Sequence, residues 1–172
     1  MEKEYMNREE LLEHMKQKVG EAIDMWTIML DSIKTGGYGF SYFGKYEWFE
    51  YDEIASEIED YILPRLKYLA NEWISIITLL TLEFEKEFDV VGYACWIDGP
   101  DGNVIDAITI MTADWEHVIR SSNYEDGAAI DVYGSSVSCY INGDPLTAVR
   151  KVIHICKVDE ASYANEDKCE ED

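Results

Sequence analysis

The run PRLKYLANEWISIITLLTLEFEKEFDVVGYACWI, residues 64–97, changes its period in the middle. Up to Phe88 the apolar positions Leu66, Leu69, Ala70, Trp73, Ile76, Ile77, Leu80 and Phe84 recur at helical spacing. Between Ile74 and Leu82 the segment is nearly apolar on every side, which predicts a buried central helix. From Val90 the composition turns to β-branched residues and Gly, and 90–97 reads as a strand. Helices before this switch and strands after it predict the α+β class, with N-terminal helices packed on a C-terminal antiparallel sheet.

N-terminal to the switch, Asn7 and Glu10 form a capping-box pair at the start of a helix. Leu11, Leu12, Met15, Val19, Ala22, Ile23, Trp26, Met29, Leu30 and Ile33 follow at helical spacing until Gly36-Gly37. Such a stripe faces a core, or in the alternative reading makes a homodimer seam through 7–34. Residues 38–51 hold eight aromatics, and Gly44-Lys45 suits a two-residue II′ loop, predicting an aromatic β-hairpin. Tyr46 and Trp48 fall on its opposite face as candidate interface anchors. A second helix is expected from Asp52, turning Ile54, Ile58, Tyr61 and Ile62 inward, with Pro64 breaking it, kinking it or opening the next helix.

C-terminal to the switch, 104–111 pairs with 90–97 around the turn sequence DGPDGN, 98–103. Residues 113–120 read as a short helix, 128–133 and 136–141 as another strand pair. Residues 145–157 read as a helix opened by Asp144-Pro145, with a strand as the alternative. Residues 90–121 and 128–157 would then form a weak strand–turn–strand–helix repeat. The expected organisation is a helical part over 1–89, a β-rich part over 90–158 and a frayed acidic tail over 159–172, in one compact domain.

Charge is the anomaly. The chain carries 36 acids against 14 bases, a formal net of -22. That lies well beyond the roughly 2–8 charges that keep a small domain soluble. Self-repulsion of this size opposes compaction, and its sign excludes direct binding to nucleic acid or an anionic membrane. The acids are spread along the chain, fifteen in 1–63, eight in 64–111 and thirteen in 112–172. They are densest in 50–60, where Glu50, Asp52, Glu53, Glu57, Glu59 and Asp60 have no Lys or Arg among them. Like charges at i and i+4 cost a helix about 0.2–0.5 kcal/mol each, and interspersed Lys ordinarily relieves them. A second run, Glu83, Glu85, Glu87 and Asp89, contains one base, Lys86.

Catalytic signatures are missing from the sequence. His14, His117 and His154 lie far apart, and no metal-ligand spacing, nucleophile elbow or phosphate-cradling loop is present. Asp114 and His117 share a face if 113–120 is a helix, a weak metal pattern. Cys139 or Cys156 could meet His117 or His154 only through the fold, and a buried structural thiol is the usual case. DGPDGN lacks the alternating ligands and closing Glu of a calcium loop. No enzyme, cofactor or metal is therefore expected. The four widely spaced cysteines without a CxxC pair, the charged N-terminus and the short apolar runs predict a soluble, thiol-reduced, cytoplasmic protein.

A basic partner remains. The expected function is a nucleic-acid-mimicking inhibitor that occupies the basic channel of a nuclease-type effector. Glu47, Glu50, Asp52, Glu53, Glu57, Glu59, Asp60, Tyr46 and Trp48 would make the contact. Phage-borne inhibitors of CRISPR or restriction enzymes are similar in general character, being small, acidic and free of catalytic motifs. An immunity protein against a nuclease toxin fits the same description, and the host cytoplasm would be its place of action. The alternative is an acidic adaptor or structural protein with no inhibitory role.

Overall fold

A computed structural model describes residues 5–35, 51–98, 104–124 and 127–170. Helix α1 spans Arg8–Lys34. It opens on the expected capping box: the Glu10 N–H donates to Asn7 Oδ1 at 2.9 Å, and the Asn7 N–H donates to Glu10 Oε1 at 3.3 Å. The helix closes at Thr35, whose hydroxyl donates to the Asp31 carbonyl. Gly36-Gly37 and the hairpin expected over 38–51 lie outside the described residues, apart from Tyr51. The stripe Leu11, Met15, Val19, Ala22, Trp26, Met29 and Leu30 is buried in the chain's own core. Those side chains are spent internally.

The next helical rod runs from Tyr51 to Glu87 without a break. It comprises α2 (Tyr51–Glu57), a π turn (Ile58–Ile62), α3 (Leu63–Tyr68), a second π turn (Leu69–Trp73) and α4 (Ile74–Glu87). In the first π turn the Leu63 N–H reaches back five residues to the Ile58 carbonyl, and in the second the Ile74 N–H reaches Leu69. Proline inside an α-helix lacks a donor, and its ring collides with the carbonyl four residues back. The wide turn immediately before Pro64 relieves that collision, so the rod continues through it. The extra residue also moves the buried face. Buried positions step from Ile58 to Leu63, and Tyr61, expected inside, is 73% exposed. Further on, Leu66, Leu69, Trp73, Ile76, Ile77, Leu80 and Phe84 are buried as their spacing requires.

The sheet is a five-stranded antiparallel meander whose spatial order follows the chain: β1 (Val90–Asp98), β2 (Val104–Thr112), β3 (Glu116–Tyr124), β4 (Gly127–Val132) and β5 (Ser138–Tyr140). The short helix expected over 113–120 is not formed. Residues after Thr112 turn tightly, with the Thr112 N–H bonded to the Trp115 carbonyl, and β3 follows. Along β3, His117, Ile119 and Ser121 are buried, while Glu116 and Arg120 are exposed and Val118 half-buried. That alternation, with β-branched Val118 and Ile119, suits a half-covered strand better than a helix. The expected internal repeat disappears with the helix.

Helix α5 (Pro145–Glu170) settles 145–157 as helix. Asp144 accepts from the Leu146 N–H at 3.1 Å and from the Thr147 hydroxyl at 2.6 Å, capping the first turn. Ala148, Val149, Val152, Ile153 and Cys156 then turn inward. The helix does not fray at 159. Lys157 pairs with Glu87, and Glu160 accepts from the Thr112 hydroxyl at 2.6 Å, so α5 is still anchored past the expected tail boundary. Side chains from α1, the rod, the inner sheet face and α5 form one continuous buried cluster. At the β1 edge, Met6 exchanges both backbone hydrogen bonds with Tyr93. The chain crosses so closely there that a Cβ on Gly92 would lie 2.4 Å from Tyr5 Cβ, which only glycine permits.

Candidate functional site

The first turn of the rod explains part of its acidity. Carboxylates near a helix N-terminus gain about 0.3–1 kcal/mol from the macrodipole. Glu53 stands in the first turn of α2, so its charge has a local structural use. Glu57, Glu59 and Asp60 lie beyond it. Glu53, Glu59 and Asp60 are exposed and Glu57 is half-buried, since Ile54 and Ile58 between them point into the core. Helical rise separates Glu53 from Glu57 by about 6 Å along the axis. The π turn places Glu59, Asp60 and Tyr61 side by side at the surface. Lys34 of α1 bridges Glu59 at 3.3 Å, a relief the local sequence does not announce. Of the other expected contact residues, Tyr46, Glu47, Trp48 and Glu50 lie outside the described residues, as does the side chain of Asp52.

Arg65, the first base of the rod, does not neutralise this group. Its guanidinium turns toward the sheet and donates to Ser121 Oγ at 3.3 Å and to the Ser121 carbonyl at 3.0 Å. It lies 5.5 Å from the centre of the Tyr68 ring. Burial lowers the Arg65 pKa, against the favourable charge of Asp106, and burial raises that of Tyr68. The Oδ1 atom of Asp106 is buried without a hydrogen-bond partner. These four residues clamp the rod to β2 and β3 between the two π turns. Sequence reasoning missed the clamp because its members come from three elements.

The second acidic run is structural. Glu83 pairs with Lys86 at 3.1 Å, Glu85 accepts from the Tyr93 hydroxyl at 3.0 Å, and Glu87 pairs with Lys157. The Lys157 contact holds the Glu87 carboxyl below its usual range. The contrast leaves 53–60 with fewer internal duties among the described residues, where Glu53 and Asp60 make neither an ion pair nor a hydrogen bond while Glu57 and Glu59 do have partners.

The candidates for chemistry resolve differently from expectation. His117 Nε2 lies 2.9 Å from Glu160 Oε1, the atom that accepts from Thr112. Phe84, Phe88 and Trp115 surround the imidazole with ring centres about 6 Å away, and His117 is only 2% exposed. A histidine and a carboxylate do meet, with His117 buried and the Glu160 side chain 25% exposed, and the pair ties α5 to the sheet. Asp114 is exposed in the turn before β3, so it and His117 share no helix face. Burial raises the thiol pKa of Cys139 and pushes those of Cys95 and Cys156 up to about 12, the reverse of nucleophile activation. Cys139 and His154 line one groove without a hydrogen bond between them. Among the described residues no cluster of three or more His, Cys, Asp or Glu is placed to hold a metal ion. Nor is any described helix long and apolar enough to cross a membrane.

No family model matches the chain, and neither the curated proteins nor the solved structures contain a significant match.

Proposed function

We propose that this protein is an acidic inhibitor that occupies the nucleic-acid-binding channel of a basic, nuclease-type effector. The observation that supports it most is the acidic group of exposed Glu53, Glu59 and Asp60 and half-buried Glu57, set on one continuous helical rod in a chain of net charge -22. The rod's own bases give it little relief, because the Arg65 guanidinium is committed to Ser121. Carboxylates fixed at helical intervals can take the positions of phosphates in a groove lined by Lys and Arg. Electrostatic steering accelerates such an encounter, and salt screens it. The partner is a basic protein that itself handles DNA or RNA; the chain contacts neither nucleic acid nor membrane, performs no catalysis and acts in the cytoplasm of the cell that holds its target. An effector of CRISPR or restriction type and a nuclease toxin both present such a channel.

The test is capture of host proteins on the immobilised chain, with mass spectrometry of fractions eluted in steps of salt. The expected result is a basic nucleic-acid-handling protein released below about 0.5 M salt, where the screening length falls toward a few Å. A main captured partner that is neutral or acidic, or one indifferent to salt, favours the adaptor reading and removes this one.

A further inference from the structure

The fold also builds a surface of opposite sign. Residues 145–158, the first half of α5, contain Arg150, Lys151, His154 and Lys157 and no acid. Arg150 and His154 are one helical turn apart, with Lys151 beside them, and all three are exposed. Together with Val137, Cys139, Thr147 and Ile155 they line a groove of about 490 Å³ between α5 and β5. No carboxylate lines it. Among the described residues none of the three basic side chains makes an ion pair, although acids outnumber bases by 36 to 14 in the chain. Elsewhere four of the described lysines are drawn into pairs: Lys18 with Glu21, Lys34 with Glu59, Lys86 with Glu83 and Lys157 with Glu87. Asp144, at the start of the helix, feels the charge of Arg150 but caps the first turn through the Leu146 N–H and the Thr147 hydroxyl and does not line the groove.

The character of the groove limits what it takes. Val137, 55% exposed at its rim, supplies an apolar contact that a simple ion site does not need. Small ligands sit in concavities that cover most of their surface. This groove is open along a row of exposed side chains, which suits a length of chain. A nucleic acid brings dense charge along its whole length and meets the repulsion of the remaining acidic surface. A short peptide with a few carboxylates between apolar residues places charge only where the bases are. We infer that the α5–β5 groove binds an extended acidic segment of a partner protein, its carboxylates on Arg150, Lys151 and His154 and an apolar side chain on Val137. The inference stands apart from the inhibitory reading, because it concerns a different face and the opposite charge.

The probe is an acetylated, amidated hexapeptide of alternating Val and Glu, titrated into the ¹⁵N-labelled full chain and followed by amide chemical shifts. The expected shifts cluster at Val137, Cys139, Arg150, Lys151 and His154. The pair R150Q and K151Q should weaken binding by about tenfold, as loss of two charge-assisted contacts requires. The pair K16Q and K67Q makes the same change in net charge at exposed positions elsewhere and should leave binding unchanged. Unperturbed amide dispersion in each variant verifies its fold, and V137D should also weaken binding while leaving the three bases in place. Shifts absent from the groove, equal losses in both double variants, or stronger binding of a thymidine hexanucleotide than of the peptide would each overturn the assignment.

Discussion

Cys156 sits with no exposed surface on the inner face of α5, and its thiol is held near a pKa of about 12 by burial, with Asp159 and Glu160 nearby adding to the shift. Cys95 on β1 is raised to about 12 by burial alone. An unfolded thiol titrates at about 8.5. Above that value the unfolded chain releases protons that the folded chain keeps, so stability falls as pH rises toward the folded values. The limiting slope is about 1.4 kcal/mol per pH unit for each such thiol. Urea midpoints measured between about pH 8 and pH 10 should decline accordingly, and Cys156→Ala should flatten the decline even though it lowers stability overall. A midpoint independent of pH over that range contradicts the burial of these thiols. The sequence supports the inert reading of the cysteines, since widely spaced thiols without activating motifs are usually core residues. It could not supply the partner of His117, because Glu160 lies 43 residues away and only the packing of α5 brings it there.

The helical rod shows where a one-dimensional pattern fails. Ile54 and Ile58 follow a 3.6-residue period, but continuing that period past Ile58 puts Tyr61 and Ile62 inside. The five-residue step to Leu63 is the trace of the π turn, and Pro64 immediately after it is the only local sign. Ile58→Ala and Leu63→Ala should each cost about 2–5 kcal/mol, and Tyr61→Ala should stay within about 0.5 kcal/mol. Denaturant unfolding of the three variants checks this, and a large loss at Tyr61 with a small one at Leu63 would restore the unbroken α register. The capping box of α1 and the strands on either side of DGPDGN were legible because both signals are local. Residues 113–120 misled because a few apolar positions fit either period, and the choice rests on pairing with β2 and β4. At α5, Glu160→Ala should cost about 1–3 kcal/mol by leaving buried His117 without its carboxylate partner, measured in the same way. An unchanged midpoint would mean that α5 is not anchored through that residue.

For the molecule as a whole, charge was legible from composition and its allocation was not. Both acidic runs look alike in the sequence, and the fold separates them by bringing Lys157 to Glu87 and Tyr93 to Glu85 while turning Arg65 away from Glu57 and Asp60. The basic groove on α5 was hidden in the same way, as Arg150, Lys151 and His154 read merely as part of a helix. If the group at 53–60 carries recognition, the triple variant E53K, E57K and D60K should fold with stability close to that of the natural chain, because it exchanges one set of like-charge neighbours for another on the outside of the rod. Its association with the captured partner should slow by at least about tenfold at low salt, the lower end of the effect of electrostatic steering. Wild-type association rates in the variant, measured by surface plasmon resonance, would move the contact to another face. The most direct test of nucleic-acid mimicry is competition on the purified partner. The complex should dissociate when that partner's own DNA or RNA is added, with occupancy by one excluding the other; a ternary assembly in which both remain bound would contradict the account.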